Sequence, residues 1–169
     1  MMTAIDVARG SAWLVVAIYV LSLILEIWRT PRATVRAVWS VGAVALLAHI
    51  LWTLTAVHHG SLREAYEHTA DQTERVMGVR IGEGLYVNFA MLLIWVGDAV
   101  AWFAIPSWNR TRRKIVFPLN AVFAFLFFNA TIVFGTPSAR WLGLAAITLV
   151  VGAWLLKPRQ APKSDSSED

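Results

Sequence analysis

The amino-acid sequence predicts an all-α integral membrane protein. Five transmembrane helices run with the N-terminus outside and the C-terminus in the cytoplasm, and one amphipathic helix lies on the extracytoplasmic side. Three observations predict this. Apolar runs recur whose length approaches the roughly 20 residues that cross a hydrocarbon core about 30 Å thick. Charged residues make up only 15% of the chain, against about 25% in a soluble domain. Arg and Lys gather in short clusters at the ends of the runs, the pattern of a membrane protein.

The predicted spans are Ser11–Trp28, Val35–Val57, Leu85–Ile105, Ile115–Phe134 and Ala139–Leu156. The first and last are the shortest, at 18 residues, and carry Glu26 and Arg140 within a turn or two of an end. The first run lacks a strongly basic leader and a small-residue cleavage site, so it reads as a retained helix. Trp13, Trp28, Trp39, Trp108, Trp141 and Trp154 fall near predicted ends, where an aromatic belt would sit. Residues 1–157 form one polytopic domain, and the polar tail 158–169 reads as a disordered cytoplasmic segment.

Orientation follows from Lys and Arg. The segments before span 1, between spans 2 and 3 and between spans 4 and 5 hold Arg9, Arg63, Arg75, Arg80 and Arg140. The alternate segments hold Arg29, Arg32, Arg36, Arg110, Arg112, Arg113, Lys114, Lys157, Arg159 and Lys163. The positive-inside rule places the second set in the cytoplasm. The expected location is the cytoplasmic (inner) membrane, with segment 58–84 outside. The net charge of +4 is thus explained by the bilayer, and nucleic acid is not an expected partner. Beyond lipid, the remaining candidate partner is another membrane protein. The absence of cysteine excludes disulfides, thiolate metal sites and a cysteine nucleophile.

Between spans 2 and 3 lies a polar stretch containing His58, His59 and His68. Ser61 and Glu64 have the spacing of a capping box, and Gly78 suits a helix end, so residues 61–77 read as an amphipathic surface helix. Gly82 and Gly84 break the chain before span 3. Glu64, His68, Asp71 and Arg75 share one stripe of the surface helix. With His58 or His59 folding back, Glu64, His68 and Asp71 would form a ligand set for a divalent metal. The competing reading pairs Glu64 with His68 and Asp71 with Arg75 as ordinary surface neighbours. The sequence favours it, because no recognised metal-binding spacing is present.

Polar residues at lipid depth are costly and usually face a bundle interior. Span 3 places Asn88, Met91, Trp95, Asp98 and Trp102 on one face, with Asp98 about 10 Å from the cytoplasmic end. A buried Asp98 must be protonated, paired with Asn120, or reached by Arg29 or Arg113. Span 2 carries His49 on a face with Trp39, Gly42, Leu46, Thr53 and Ala56, about 12 Å below the outer end. Two layers result. The outer one holds His49, Asn88 and either Asn129 or Thr131; the inner one holds Glu26, Asp98 and Asn120.

Three functions fit these layers. The favoured one is a structural or accessory subunit of a membrane complex, whose Asn, Asp, His and Thr tie helices together at about 0.6–2 kcal/mol each. The second is redox or metal handling: haem b or a quinone at His49 and Asn88, or a metal outside. Haem is disfavoured because no other histidine lies in a span, leaving Met91 as the available second axial ligand. The third is a small proton-coupled carrier using Asp98 and Asn120, disfavoured by the lack of repeat symmetry. No Ser–His–Asp elbow, P-loop or soluble carboxylate pair is present, so an enzyme acting alone is not expected.

Overall fold

A computed structural model describes residues 2–157; the predicted disordered tail 158–169 lies outside them. Every regular element among the described residues is helical. In chain order they are α1 (Ala4–Ile27), α2 (Arg32–Trp52), α3 (Leu62–Met77), α4 (Gly84–Ala104), α5 (Trp108–Phe128) and α6 (Pro137–Leu155). α2 and α5 each continue into a π-helical turn, Thr53–Val57 and Asn129–Val133. Five of these helices, all but α3, are long and apolar enough to cross a membrane.

Two helices begin seven residues earlier than the hydropathy pattern predicts. α1 starts at Ala4, not Ser11, because Thr3 and Asp6 form a reciprocal capping box. The Thr3 hydroxyl accepts the Asp6 N–H at 3.2 Å, and the Asp6 carboxylate accepts the Thr3 N–H at 3.0 Å. Trp13 therefore sits in the third turn, away from the helix end where the belt pattern placed it. α5 starts at Trp108, not Ile115, so the basic run Arg110–Lys114 is helical and not a connecting loop. The π turns coincide with side chains that take carbonyls four residues back: Thr53 on His49, Thr55 on Leu51, Asn129 on Phe125 and Thr131 on Phe127. Such back-bonding distorts the regular ladder.

α3 forms where expected, with one correction. The Ser61 hydroxyl accepts the Glu64 N–H at 3.1 Å, but the Ser61 N–H goes to the His58 carbonyl at 2.7 Å. The Glu64 side chain turns instead to His59. The box is therefore half built. Gly78 closes the helix in the left-handed conformation at φ +73°, which glycine adopts without a Cβ penalty.

The five long apolar helices run alternately up and down. One end of the bundle carries α3; the other, the basic end, carries Arg29, Arg32, Arg36, Arg110, Arg113, Lys114 and Lys157. The core lies between α1, α2, α4 and α5. Tyr19, Trp39, Trp95 and Phe123 are at most 2% exposed and pack with Phe127 at ring-centroid distances of 4.7–6.4 Å. Trp39 thus belongs to the core, not to the interfacial belt. Its carbonyl accepts the Trp95 indole N–H at 3.0 Å, joining α2 to α4. Between apolar helices in lipid, association depends on close packing more than on exclusion of water, and edge-on aromatic pairs add about 0.5–1.5 kcal/mol each.

Gly42 makes this packing geometry possible. A Cβ there would lie 2.4 Å from Trp95 Cζ2, so α2 approaches the indole only without a side chain. Gly42→Ala should therefore destabilise the protein by about 1–3 kcal/mol, seen as a lower midpoint in thermal unfolding in detergent. Gly97→Ala on α4, where a Cβ meets nothing within 4 Å, should be neutral or mildly stabilising.

Candidate functional site

The inner polar layer converges on Arg112. This side chain is 7% exposed and lies between α1 and α4. Its Nη1–H donates to Glu26 Oε1 at 2.7 Å and its Nε–H donates to Asp98 Oδ2 at 3.0 Å. The Trp108 indole N–H, one turn earlier on α5, donates to the other Asp98 oxygen at 2.8 Å. The Asn120 side-chain amide donates to Glu26 Oε2 at 2.9 Å, and the Asn120 backbone carbonyl accepts the Tyr19 hydroxyl at 2.8 Å. The guanidinium also stands 3.8 Å from the Trp102 ring and 5.1 Å from the Trp39 ring, within cation–π range. Trp102 is itself fixed by its N–H to Asn109 at 2.9 Å.

Each member has a reason to be where it is. Asp98 and Trp102 are one turn apart on the buried face of α4, with Met91 and Trp95 completing the stripe. Glu26 sits in the last turn of α1. On α5, Trp108, Arg112, Asn120, Phe123 and Phe127 recur at steps of three, four and eight residues, which is one helical face. Charge-assisted hydrogen bonds in a low-dielectric interior are strong, and leaving either partner alone is costly. Two carboxylates meet one guanidinium. Arg112 Nη2, Asn120 Oδ1 and Trp39 Nε1 are buried without a hydrogen-bond partner among the described residues.

The partner of Asp98 is thus Arg112, not the expected Arg29 or Arg113. Starting α5 at Ile115 leaves Arg112 and Trp108 in a loop and hides both from the sequence pattern, while Tyr19 lies within the first predicted span with nothing in the sequence to mark its hydroxyl as part of this layer. The available signal was phase: continued backward from Asn120 at helical spacing, the buried face passes through Arg112 and Trp108.

The outer layer is not brought together. His49 Nδ1 is 2.9 Å from the Ser11 hydroxyl, a contact joining α2 to α1. Asn88 is exposed on α4. Asn129 and Thr131 bond to carbonyls of their own helix. His49 and Asn88 therefore do not share a site. The histidines at the α3 end disperse likewise. His59 faces Glu64 at 3.3 Å, His68 bonds Gln72 at 3.1 Å, and Asp71 pairs with Arg80, which also holds Glu67. The expected pairs Glu64–His68 and Asp71–Arg75 are replaced by these. Among the described residues no three His, Asp or Glu side chains are placed to hold a metal ion, so His58, His59, His68, Glu64 and Asp71 do not assemble one ligand set.

His58 is the buried histidine of this end, 7% exposed, with its ring 5.3 Å from that of His68. Burial, then the nearby His68, holds its imidazole below the ordinary 6.5, with Glu64 opposing.

Compared with protein-family models, curated proteins and solved structures, the chain matches none.

Arg112→Leu leaves two carboxylates without their cation and should destabilise the fold by about 3–5 kcal/mol. Arg113→Leu, one residue away and exposed, should change the unfolding midpoint little. Equal effects in thermal unfolding would contradict the network. For His58, a depressed folded-state pKa means that the neutral ring is the packed form. Its contribution should be complete above about pH 6.5 and fall as the pH drops below that value through the folded-state pKa. Once the slower intrinsic exchange at acid pH is divided out, the protection of the α3 amides should fall on acidification to about pH 5.5, and His58→Gln should remove much of that fall.

Proposed function

We propose that the protein is a multi-pass protein of the cytoplasmic membrane, with its basic end in the cytoplasm and α3 and segment 58–84 outside. The gathering of Arg29, Arg32, Arg36, Arg110, Arg113, Lys114 and Lys157 at one end supports this orientation under the positive-inside rule. Within the membrane it acts as a structural or accessory subunit and not as a catalyst on its own. The observation that carries this reading is the occupation of Asp98: both carboxylate oxygens are taken, by Arg112 and Trp108. An acid held in this way serves to fix α4 against α5, and is poorly suited to passing a proton or solute along.

A second reading, proton or ion handling by Asp98 and Asn120, is favoured by one specific feature. Two carboxylates share one guanidinium, and buried polar atoms on Arg112 and Asn120 have no hydrogen-bond partner among the described residues. A purely structural network usually satisfies its members.

Purification from native membranes in mild detergent separates the two. The accessory reading expects a membrane partner in fixed stoichiometry, and no proton or solute flux from the isolated protein in vesicles. Flux by the isolated protein that Asp98→Asn abolishes would overturn it in favour of the carrier. A reporter fused after Lys163 is expected to read cytoplasmic, and the opposite result would reverse the orientation.

A further inference from the structure

α5 and α6 meet at the α3 end, where the turn Asn129–Val133 packs on α6, and they diverge towards the basic end. α1 runs along the floor of the wedge between them, in contact with α6. The wedge holds an apolar groove of about 160 Å³ whose walls include Val20, Leu23, Phe127, Phe128, Ile147 and Val150. Two hydroxyls also line it, and neither is free. Tyr19 donates to the Asn120 carbonyl at 2.8 Å, and Thr131 donates to the Phe127 carbonyl at 2.7 Å. With its lining hydroxyls already engaged, the groove suits a hydrocarbon chain and not a polar solute.

The helical register continues the groove to two cations. On α5 the stripe Thr131, Phe127, Ala124, Asn120, Phe117 and Arg113 repeats at steps of three and four. On α6 the stripe Gly143, Ile147, Val150 and Trp154 does the same, and Lys157 follows two residues past the helix end. Arg113 is exposed, Lys157 is half-exposed, and neither forms an ion pair among the described residues. At about 1.5 Å per residue, the end of α6 beside Lys157 lies about 12 Å from Ile147 along the axis, and Arg113 about 21 Å from Phe127. Half a hydrocarbon core is about 15 Å, with the headgroup layer beyond it. Apolar walls at chain depth, and one cation on each arm at headgroup depth, are complementary to a single amphiphile.

We propose that this wedge binds an anionic phospholipid, one acyl chain lying between α5 and α6 over α1 and the phosphate held by Arg113 and Lys157. The proposal rests on the membrane reading above.

The test uses the full chain in phosphatidylcholine nanodiscs containing a chain-spin-labelled lipid, either phosphatidylglycerol or phosphatidylcholine. The motionally restricted fraction should be at least twofold higher for phosphatidylglycerol with the wild type. The double substitution Arg113→Gln and Lys157→Gln should equalise the two lipids. Ala146→Phe, which fills the groove, should lower the restricted fraction of both. Arg75→Gln on α3 should leave the preference intact. Equal restriction of the two lipids by the wild type, or a preference surviving the double substitution, would overturn the proposal. Failure of the protein to enter nanodiscs at all would instead overturn the membrane reading, and the proposal with it.

Discussion

The Arg112 guanidinium, held between Glu26 of α1 and Asp98 of α4, is the interaction on which the arrangement of the bundle depends. α5 is an arm with much of its surface exposed, and Arg112 and Phe123 are its buried residues before the terminal π turn. Phe123 enters the aromatic core, and Arg112 fixes the end of the helix some sixteen Å away at about 1.5 Å per residue. Two such anchors on one face set both the rotation and the axial position of a helix. The rest of α5 is then left on the surface of the bundle, and the wedge towards α6 follows from where α5 is held.

The aromatic core and the ion network are parts of one structure. Trp39 stacks on Phe123 and also stands beside the Arg112 guanidinium, while Trp102 covers its nearer face. Indole rings suit this boundary because one molecule offers an apolar edge to its neighbours and a π face to a cation. Gly42 lets α2 come close enough for Trp95 to reach the Trp39 carbonyl. Removal of lipid and water from around the charges raises the cost of leaving any one of them unpaired.

Much of this was legible in the sequence. The five long apolar helices, α3 with its Ser61 and Gly78 ends, and the buried face of α4 through Met91, Trp95, Asp98 and Trp102 follow from hydropathy, periodicity and capping chemistry alone. So does the grouping of Glu26, Asp98 and Asn120 at one depth, since depth is counted in residues from a helix end. What was not legible depended on where helices begin. Hydropathy is silent about a charged helix start, so by that signal the basic run falls in a loop and Arg112 has no place on a helix face. Tryptophan is ambiguous for a related reason: Trp39 suits a core as well as an interface, and its neighbours in space decide between them. The outer layer was overread because depth alone does not make side chains meet. Asn88 shares the outer depth with His49 but is exposed on the surface of α4.

Arg112 couples α1, α4 and α5 through two carboxylates at once. Double-mutant cycles pairing Arg112→Met with Asp98→Asn, and with Glu26→Gln, measure this directly by reversible unfolding in mixed micelles. Both cycles should return coupling energies within the roughly 0.5–3 kcal/mol seen for residues in direct contact. Additive effects in both cycles would show that the three side chains do not act on one another and would contradict the account.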